Sequence, residues 1–342
     1  MSTSSSFQAH TSIAYPPPPS SSAHQSTIDI DSVIDNLLET GAFDDCHFSR
    51  KPRHGIKRFL TTWERERAGL VSHNSLVNYV DLKKQRDSRR WVPIFDINTI
   101  PTFQYIASNQ DGPHHQLCDK NGVVLAYRFP ISLQHVDRLH ESQTLLPVNK
   151  ILPNKRGIFH HRHYALWADY SPSIMKSREY RTDLPRSQTW LDTNQPLFRS
   201  LSNTLRMLDP SMYVKFTSID KHLPHGFYRM AGAWHGVAIN EHMRPQQTSS
   251  ETHIDWQELP RGYNAVVPWG SFTGGAVVLW QAKLIYEVKE GECLFFLGGV
   301  MAHQVQPVLT GERNSLDLFC HKSTFDWKKR LDQEVAKSFG RQ

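Results

Sequence analysis

Between Tyr263 and Cys320 the chain is cut into short apolar runs by glycine-rich turns, and that rhythm leaves few folds open. Tyr263 to Pro268, Ala276 to Trp280, Leu284 to Val288, Cys293 to Leu297 and Leu316 to Cys320 are each apolar and β-prone. Gly270 to Gly275, Glu290-Gly291-Glu292 and Gly298-Gly299 read as turns between them. Runs this short suit strands better than helices. Several in succession imply an all-β barrel or sandwich core.

Polar residues flank this stretch at informative spacings. His253 and Asp255 stand in Thr252-His253-Ile254-Asp255-Trp256, and His303 follows His253 by fifty residues. Residues i and i+2 of a strand share a face, so a single strand would bring His253 and Asp255 to one ion, with His303 arriving from another strand. Two imidazoles and one carboxylate with open coordination positions suit a non-haem Fe(II) oxygenase. Arg313 and Ser315, in Gly311-Glu312-Arg313-Asn314-Ser315-Leu316, share a face in the same way. A guanidinium and a hydroxyl there suit the distal carboxylate of 2-oxoglutarate.

From about residue 234 to 328 the chain resembles the Fe(II)/2-oxoglutarate dioxygenases, and more narrowly the fungal proteins grouped with the TET and JBP nucleobase oxygenases. Ala238-Ile239-Asn240, His253-Ile254-Asp255, Gly274-Gly275-Ala276-Val277-Val278-Leu279-Trp280, Glu290-Gly291-Glu292, His303 and Glu312-Arg313-Asn314-Ser315 carry the resemblance. It implies a mostly β core with flanking helices, an α+β chain built on a double-stranded β-helix of the jelly-roll or cupin-like kind. It also implies His253, Asp255 and His303 as iron ligands, and Arg313, Ser315 and Asn240 as residues toward 2-oxoglutarate. The implied cofactors are Fe(II), 2-oxoglutarate as co-substrate, and O2. The implied reaction hydroxylates a C–H bond while 2-oxoglutarate becomes succinate and CO2. A methylated nucleobase in DNA or RNA is the substrate the resemblance implies; a protein side chain, a small metabolite or a non-catalytic binding module are the alternatives. Two positions depart from the TET and JBP pattern: Ile254 replaces an Arg and Glu258 replaces an Asn. Glu258 can accept a hydrogen bond from an exocyclic amine, but it repels phosphate.

The outer bounds agree. At 342 residues with 39% hydrophobic content, the chain fits one large domain or two smaller ones. The four cysteines, Cys46, Cys118, Cys293 and Cys320, form no Cys-x-x-Cys pair. That speaks against a zinc module or a disulfide scaffold and suits a reducing compartment. No apolar run approaches the ~18 residues a membrane span needs, so an intracellular protein is expected, with the nucleus as one candidate location. The net charge of +6 is modest over this length. Its densest run, Lys83-Lys84-Gln85-Arg86-Asp87-Ser88-Arg89-Arg90 before Trp91, reads as a nuclear address or a phosphate-contacting strip, or equally as an exposed helix end.

Four segments are expected. Residues 1–27 form a disordered Ser/Pro-rich tail, and residues 28–155 a mixed α/β segment packing on the core. Residues 156–330 hold the double-stranded β-helix with a bracing helix, and 331–342 a C-terminal tail. Helical spacing marks Ile28 to Leu38, capped at Ser32, and Pro196 to Leu208, with Pro196 in its first turn. Trp91 to Ile97 and Val123 to Phe129 read as strands. Phe159-His160-His161-Arg162-His163 reads as a polar surface or substrate-channel segment rather than a metal site, because adjacent histidines point in different directions. His235 reads as a packed or surface histidine. Trp256, Trp269 and Trp280 read as packing residues rather than stacking platforms.

Overall fold

Two strands, β2 (Asn264–Trp269) and β5 (Glu292–Phe296), are buried along their whole length. A strand survives that only in a sheet covered on both faces. The computed structural model, which describes residues 30–44, 52–88, 97–108, 114–147, 153–154, 157–169, 171–245 and 251–339, shows what covers them. The other core strands are β1 (Gly236–Met243), β3 (Val277–Leu279), β4 (Leu284–Tyr286), β6 (His303–Val305) and β7 (Arg313–Phe319). In the larger sheet they run in the order β5-β2-β7-β1, and in the smaller one in the order β6-β3-β4. His253 bridges to His303 on the free side of β6 and so supplies the missing position of the smaller sheet. Followed along the chain, the strands visit the sheets in the order large, small, large, small, small, large, small, large. That winding is a double-stranded β-helix, the jelly-roll the sequence led us to expect.

The larger sheet continues on both sides. Strand His160–Trp167 pairs with β1, and Val124–Pro130 pairs with β5, followed by His115–Cys118 and Val71–Asn74. Residues 28–155 therefore do more than pack on the core, because they add three strands to a sheet that reaches nine with His160–Trp167 and Met175–Lys176 on its other side. The smaller sheet likewise gains Gln104–Ile106 beside β4. On the far face of the large sheet, helix Gln195–Leu208 buries Leu197, Phe198, Leu201 and Leu205 in one cluster with Phe295, Leu316 and Leu318. Phe295 sits at the centre of that cluster, with ring centroids 4.9 Å from Phe129 and 5.5 Å from Trp234.

Several expectations are corrected. The first helix spans Ile30–Glu39, which places Ser32 inside it rather than at its cap. Residues 331–342 are not a tail as a whole, since helix Lys322–Phe339 runs through most of them. Its apolar residues Phe325 and Trp327 dock on the core, which the polar composition after Lys328 concealed. Gly270 to Gly275 is more than a turn: Phe272–Gly274 pairs with Val308–Gly311. The expected strand Trp91 to Ile97 lies outside the described residues except for Ile97, which opens a short 3-10 helix. The Ser/Pro-rich segment 1–27, Cys46, Arg89 and Arg90 also lie outside them. Val124–Pro130 and Gln195–Leu208 lie where expected. No described helix is long and apolar enough to cross a membrane.

Truncating Phe295 removes the ring that packs on Phe129 and Trp234 within the core cluster. Phe295→Ala should cost about 3–5 kcal/mol in urea unfolding; a loss below about 1 kcal/mol would show that the cluster is not the cooperative core.

Candidate metal centre

The site begins with a backbone pair. His253 N–H donates to the His303 carbonyl at 3.0 Å, and His303 N–H to that of His253 at 2.9 Å. This reciprocal exchange sets the two side chains on one face of the small sheet, with ring centroids 4.3 Å apart. The Thr252 hydroxyl and the Trp280 indole both donate to the Gln304 side-chain oxygen, which ties the two segments a second time. After His253 the chain stays extended for only two residues. Asp255 N–H bonds the Gly298 carbonyl at 3.1 Å, and a turn closes from Glu258 N–H to the Asp255 carbonyl at 2.9 Å. The expectation of a regular strand through His253 and Asp255 is thus corrected: a single bridge followed by a turn does the work.

The three donors converge. Nε2 of His253 lies 3.7 Å from one Asp255 carboxylate oxygen, and Nε2 of His303 lies 3.3 Å from the other. All three candidate ligand atoms fall within 4.8 Å of one another, and no other such group of three occurs among the described residues. Both rings are also turned the right way. Nδ1 of His253 meets the Glu251 carbonyl at 2.7 Å, and Nδ1 of His303 meets the Met301 carbonyl at 2.9 Å. A carbonyl only accepts, so each Nδ1 carries the hydrogen and each Nε2 keeps its lone pair toward the shared centre. Burial disfavours a charge on His303, but the Asp255 carboxylate outweighs it and raises the imidazole above its ordinary pKa. A divalent cation between these donors would take the place of that proton. Two imidazoles and a carboxylate are the donor set of a non-haem Fe(II) centre.

Asn264 was not singled out in the sequence. Its amide donates to Asp255 Oδ2 at 3.2 Å and fixes how the carboxylate is presented. Gly298 makes room for it, since a Cβ there would lie 2.8 Å from the Asn264 amide. The available signal was a fully buried Asn opening the apolar run of β2. Arg86 was read only as part of a basic run. In the structure it is buried on helix Tyr79–Ser88 and donates to the carbonyls of Trp256 at 2.6 Å and Glu258 at 3.2 Å. The N-terminal segment thereby holds the turn that follows the candidate ligand Asp255.

Arg313 lies on β7 with 1% exposure. Among the described residues its Nε and Nη2 have no hydrogen-bond acceptor, and Nη1 reaches only the Met243 sulfur at 3.5 Å. Burial lowers its pKa to about 10, against a smaller opposing effect of Asp317. An uncompensated buried cation is costly, by several kcal/mol in general, and the arrangement calls for an anion. Gly275 shapes the space: it holds φ +67°, and a Cβ there would lie 2.8 Å from Arg313 Cδ. Ser315 and Asn240 are register partners across β7 and β1, and the Asn240 amide lies 3.4 Å from the Ser315 hydroxyl.

Sheet register orders the inner wall. Pro268, Ser315, Asn240 and His161 form one row across four strands, and Val266, Asp317, Ala238 and His163 form the next. The second row opens on a cleft of about 450 Å³ that includes Asp255, Trp256 and Glu258. His163 lines this cleft, whereas Phe159, His160 and Arg162 of the same segment are buried, so the segment is not the polar surface expected. His235 is fully buried between Thr324 and the Phe216 carbonyl. Trp269 and Trp280 are packing residues, but Trp256 is not: it is 47% exposed at the cleft, because the turn after Asp255 carries it out of the core.

Fold and donor set together define a double-stranded β-helix with a two-histidine, one-carboxylate centre. No protein-family model matches the chain, and no curated protein matches it significantly. Solved structures similar to it include NgTET1 in complex with 5mC DNA, at 16% identity over 72% of this chain and 92% of that one, TM-score 0.48. Another is a 2OG-Fe(II) oxygenase family oxidoreductase from Burkholderia pseudomallei, at 16% identity over 57% and 82%, TM-score 0.38. A third is the viral collagen prolyl hydroxylase from Paramecium Bursaria Chlorella virus-1 with 2OG, at 15% identity over 57% and 94%, TM-score 0.32.

Asp255→Ala should abolish binding of one divalent cation per chain in calorimetric titration. Asn264→Ala should weaken it about 10–100-fold; an unchanged affinity would show that Asn264 does not orient the ligand.

Proposed function

We propose that this protein is an Fe(II)- and 2-oxoglutarate-dependent dioxygenase that hydroxylates a C–H bond. The observation that carries this reading is the presence in one double-stranded β-helix of three converging donors on the small-sheet side and a buried guanidinium on the large sheet that lacks an anion among the described residues. His253, Asp255 and His303 would hold the iron, leaving positions open for the co-substrate and O2. With these bound, the centre supplies oxidative decarboxylation of 2-oxoglutarate to succinate and CO2, coupled to insertion of one oxygen atom into the substrate.

The chain's own groups set the conditions. Arg313 binds the distal carboxylate of 2-oxoglutarate through charge-assisted hydrogen bonds that its free Nε and Nη2 are ready to make. Ser315 adds a hydroxyl beside it, and Asn240, paired with Ser315, keeps that hydroxyl in place. Asn264 orients Asp255. The Phe296 ring, 4.8 Å from that of His303, and the buried cluster of Ile254, Val278, Trp280 and Ile285 keep water from the small-sheet side. The substrate enters by the cleft beside Asp255, where Glu258 and Trp256 stand at the mouth.

Two substrate readings fit the cleft: a methylated nucleobase in DNA or RNA, which the sequence resemblance supports and to which the exposed Trp256 offers a stacking face, and a protein side chain. A base within a duplex would first have to be flipped out. Incubation with methylated oligonucleotides, followed by nucleoside mass spectrometry, tests that reading.

Anaerobic addition of Fe(II) and 2-oxoglutarate should give the weak visible charge-transfer band of the chelate, and Asp255→Ala should lose it. Arg313→Ala should raise the 2-oxoglutarate requirement about tenfold or more with iron retained. Loss of iron from that variant would remove Arg313 from the co-substrate role.

A further inference from the structure

The cleft beside Asp255 has a chemistry that the metal and the co-substrate do not use. Apart from Asp255, two carboxylates line it: Glu258, 8% exposed, and Asp317. Rings form its wall. His163, Phe319 and His321 follow one another at centroid spacings of 5.7 and 5.2 Å, and the half-exposed Trp256 shares the same space. Among the described residues no Lys or Arg lines the cleft. Asp255 is given to the metal centre, which leaves Glu258 and Asp317 as the carboxylates of the entry wall. A phosphate would meet like charge there, whereas a nitrogen cation would meet both carboxylates and π faces.

We propose that the group entering this cleft is a cationic nitrogen, the ammonium or guanidinium of a basic amino-acid side chain, and that Glu258 and Asp317 select it. This rests on the oxygenase reading and names the substrate class of the same site. Their placement explains the selection. Asp317 occupies the inward row of β7, two residues beyond Ser315, so it faces the space next to the co-substrate pocket. Glu258 ends the turn that begins at Asp255, and Arg86 holds that turn by its carbonyls without entering the cleft. A cation bound between these two carboxylates brings the neighbouring methylene C–H bonds of its own side chain to the metal centre. The balance is that of the proposed chemistry: R–H, O2 and 2-oxoglutarate give R–OH, succinate and CO2.

The test uses the full chain loaded with Fe(II). Succinate formation is measured with free lysine and arginine, capped lysyl and arginyl peptides, a capped glutamyl peptide and an oligonucleotide containing 5-methylcytosine. Calorimetric titration of the same probes reads binding without turnover. We expect the basic probes to bind and raise succinate output, and the glutamyl peptide and oligonucleotide to do neither; free and peptide arms tell which source is used. Glu258→Gln and Asp317→Asn should each weaken binding of the basic probe about tenfold, with the Fe(II)–2-oxoglutarate band kept. The proposal is overturned if no basic probe binds, if glutamyl and basic peptides act alike, or if the oligonucleotide alone is oxidised. Absence of both the band and basal succinate from the unmutated protein is a different result, since it removes the oxygenase reading itself.

Discussion

Everything chemical in this fold depends on one reciprocal pair of hydrogen bonds, between the backbones of His253 and His303. Residues fifty positions apart are brought together there, and the entropy of closing such a loop grows only slowly with its length. The strands β2 to β5 lie inside that loop, and their burial offsets the closure. The pair also does what a side-chain contact alone would not. It fixes both backbones, so the Glu251 and Met301 carbonyls arrive where each ring needs an acceptor for Nδ1. The tautomer of each candidate ligand is thus a consequence of sheet register.

Strand β7 carries the second constraint. Arg313, Ser315 and Asp317 stand at alternate positions, so one inner face bears a cation, a hydroxyl and a carboxylate over roughly 13 Å of extended chain. The strand is polarised along its length: its first residue asks for an anion, while Asp317 repels one. Ligands of opposite charge can therefore occupy neighbouring spaces of one barrel without exchanging places. The bulge opposite Asn314 supports this arrangement. His242 adopts φ 60°, and its N–H bonds the Asn314 side chain at 2.9 Å. It takes up the extra residue on β1 so that Ser315 still meets Asn240 while Arg313 meets Met243.

The legible part of the chain was the part where periodicity and chemistry coincide. Short apolar runs between glycines announce strands, and His253, Asp255, His303 and Arg313 announce themselves because polar residues are costly in such a setting. The structure brings the three metal-ligand candidates together and buries Arg313 on β7 of the large sheet. Asn264 escaped notice because a lone Asn at the start of an apolar strand looks like a turn residue until the facing Gly298 is known. Asp317 escaped for a similar reason, being one polar residue in the run Leu316 to Cys320, whose partners on β1 and β2 come from distant sequence. Trp256 was misread because alternation was extended through it. A turn, which no periodicity signals, reverses the chain at that point and exposes the ring.

Arg86 shows why the N-terminal segment had no readable role. A charged residue within a basic run looks like solvent-exposed surface, and the carbonyls that it binds lie some 170 positions away. Those carbonyls belong to Trp256 and Glu258, within three residues of the candidate ligand Asp255. The turn is also tied by its backbone to the end of β7, with Leu259 N–H on the Cys320 carbonyl at 3.1 Å and Lys322 N–H on the Gln257 carbonyl at 2.8 Å. The guanidinium closes it from outside with two donors, while Asn264 and Gly298 hold Asp255 from inside. The carboxylate that would bind metal and the carboxylate that faces the cleft are set by one clamp. A change in that clamp reaches both together, which couples the metal site to the cleft through a segment that touches neither the ion nor the entering molecule.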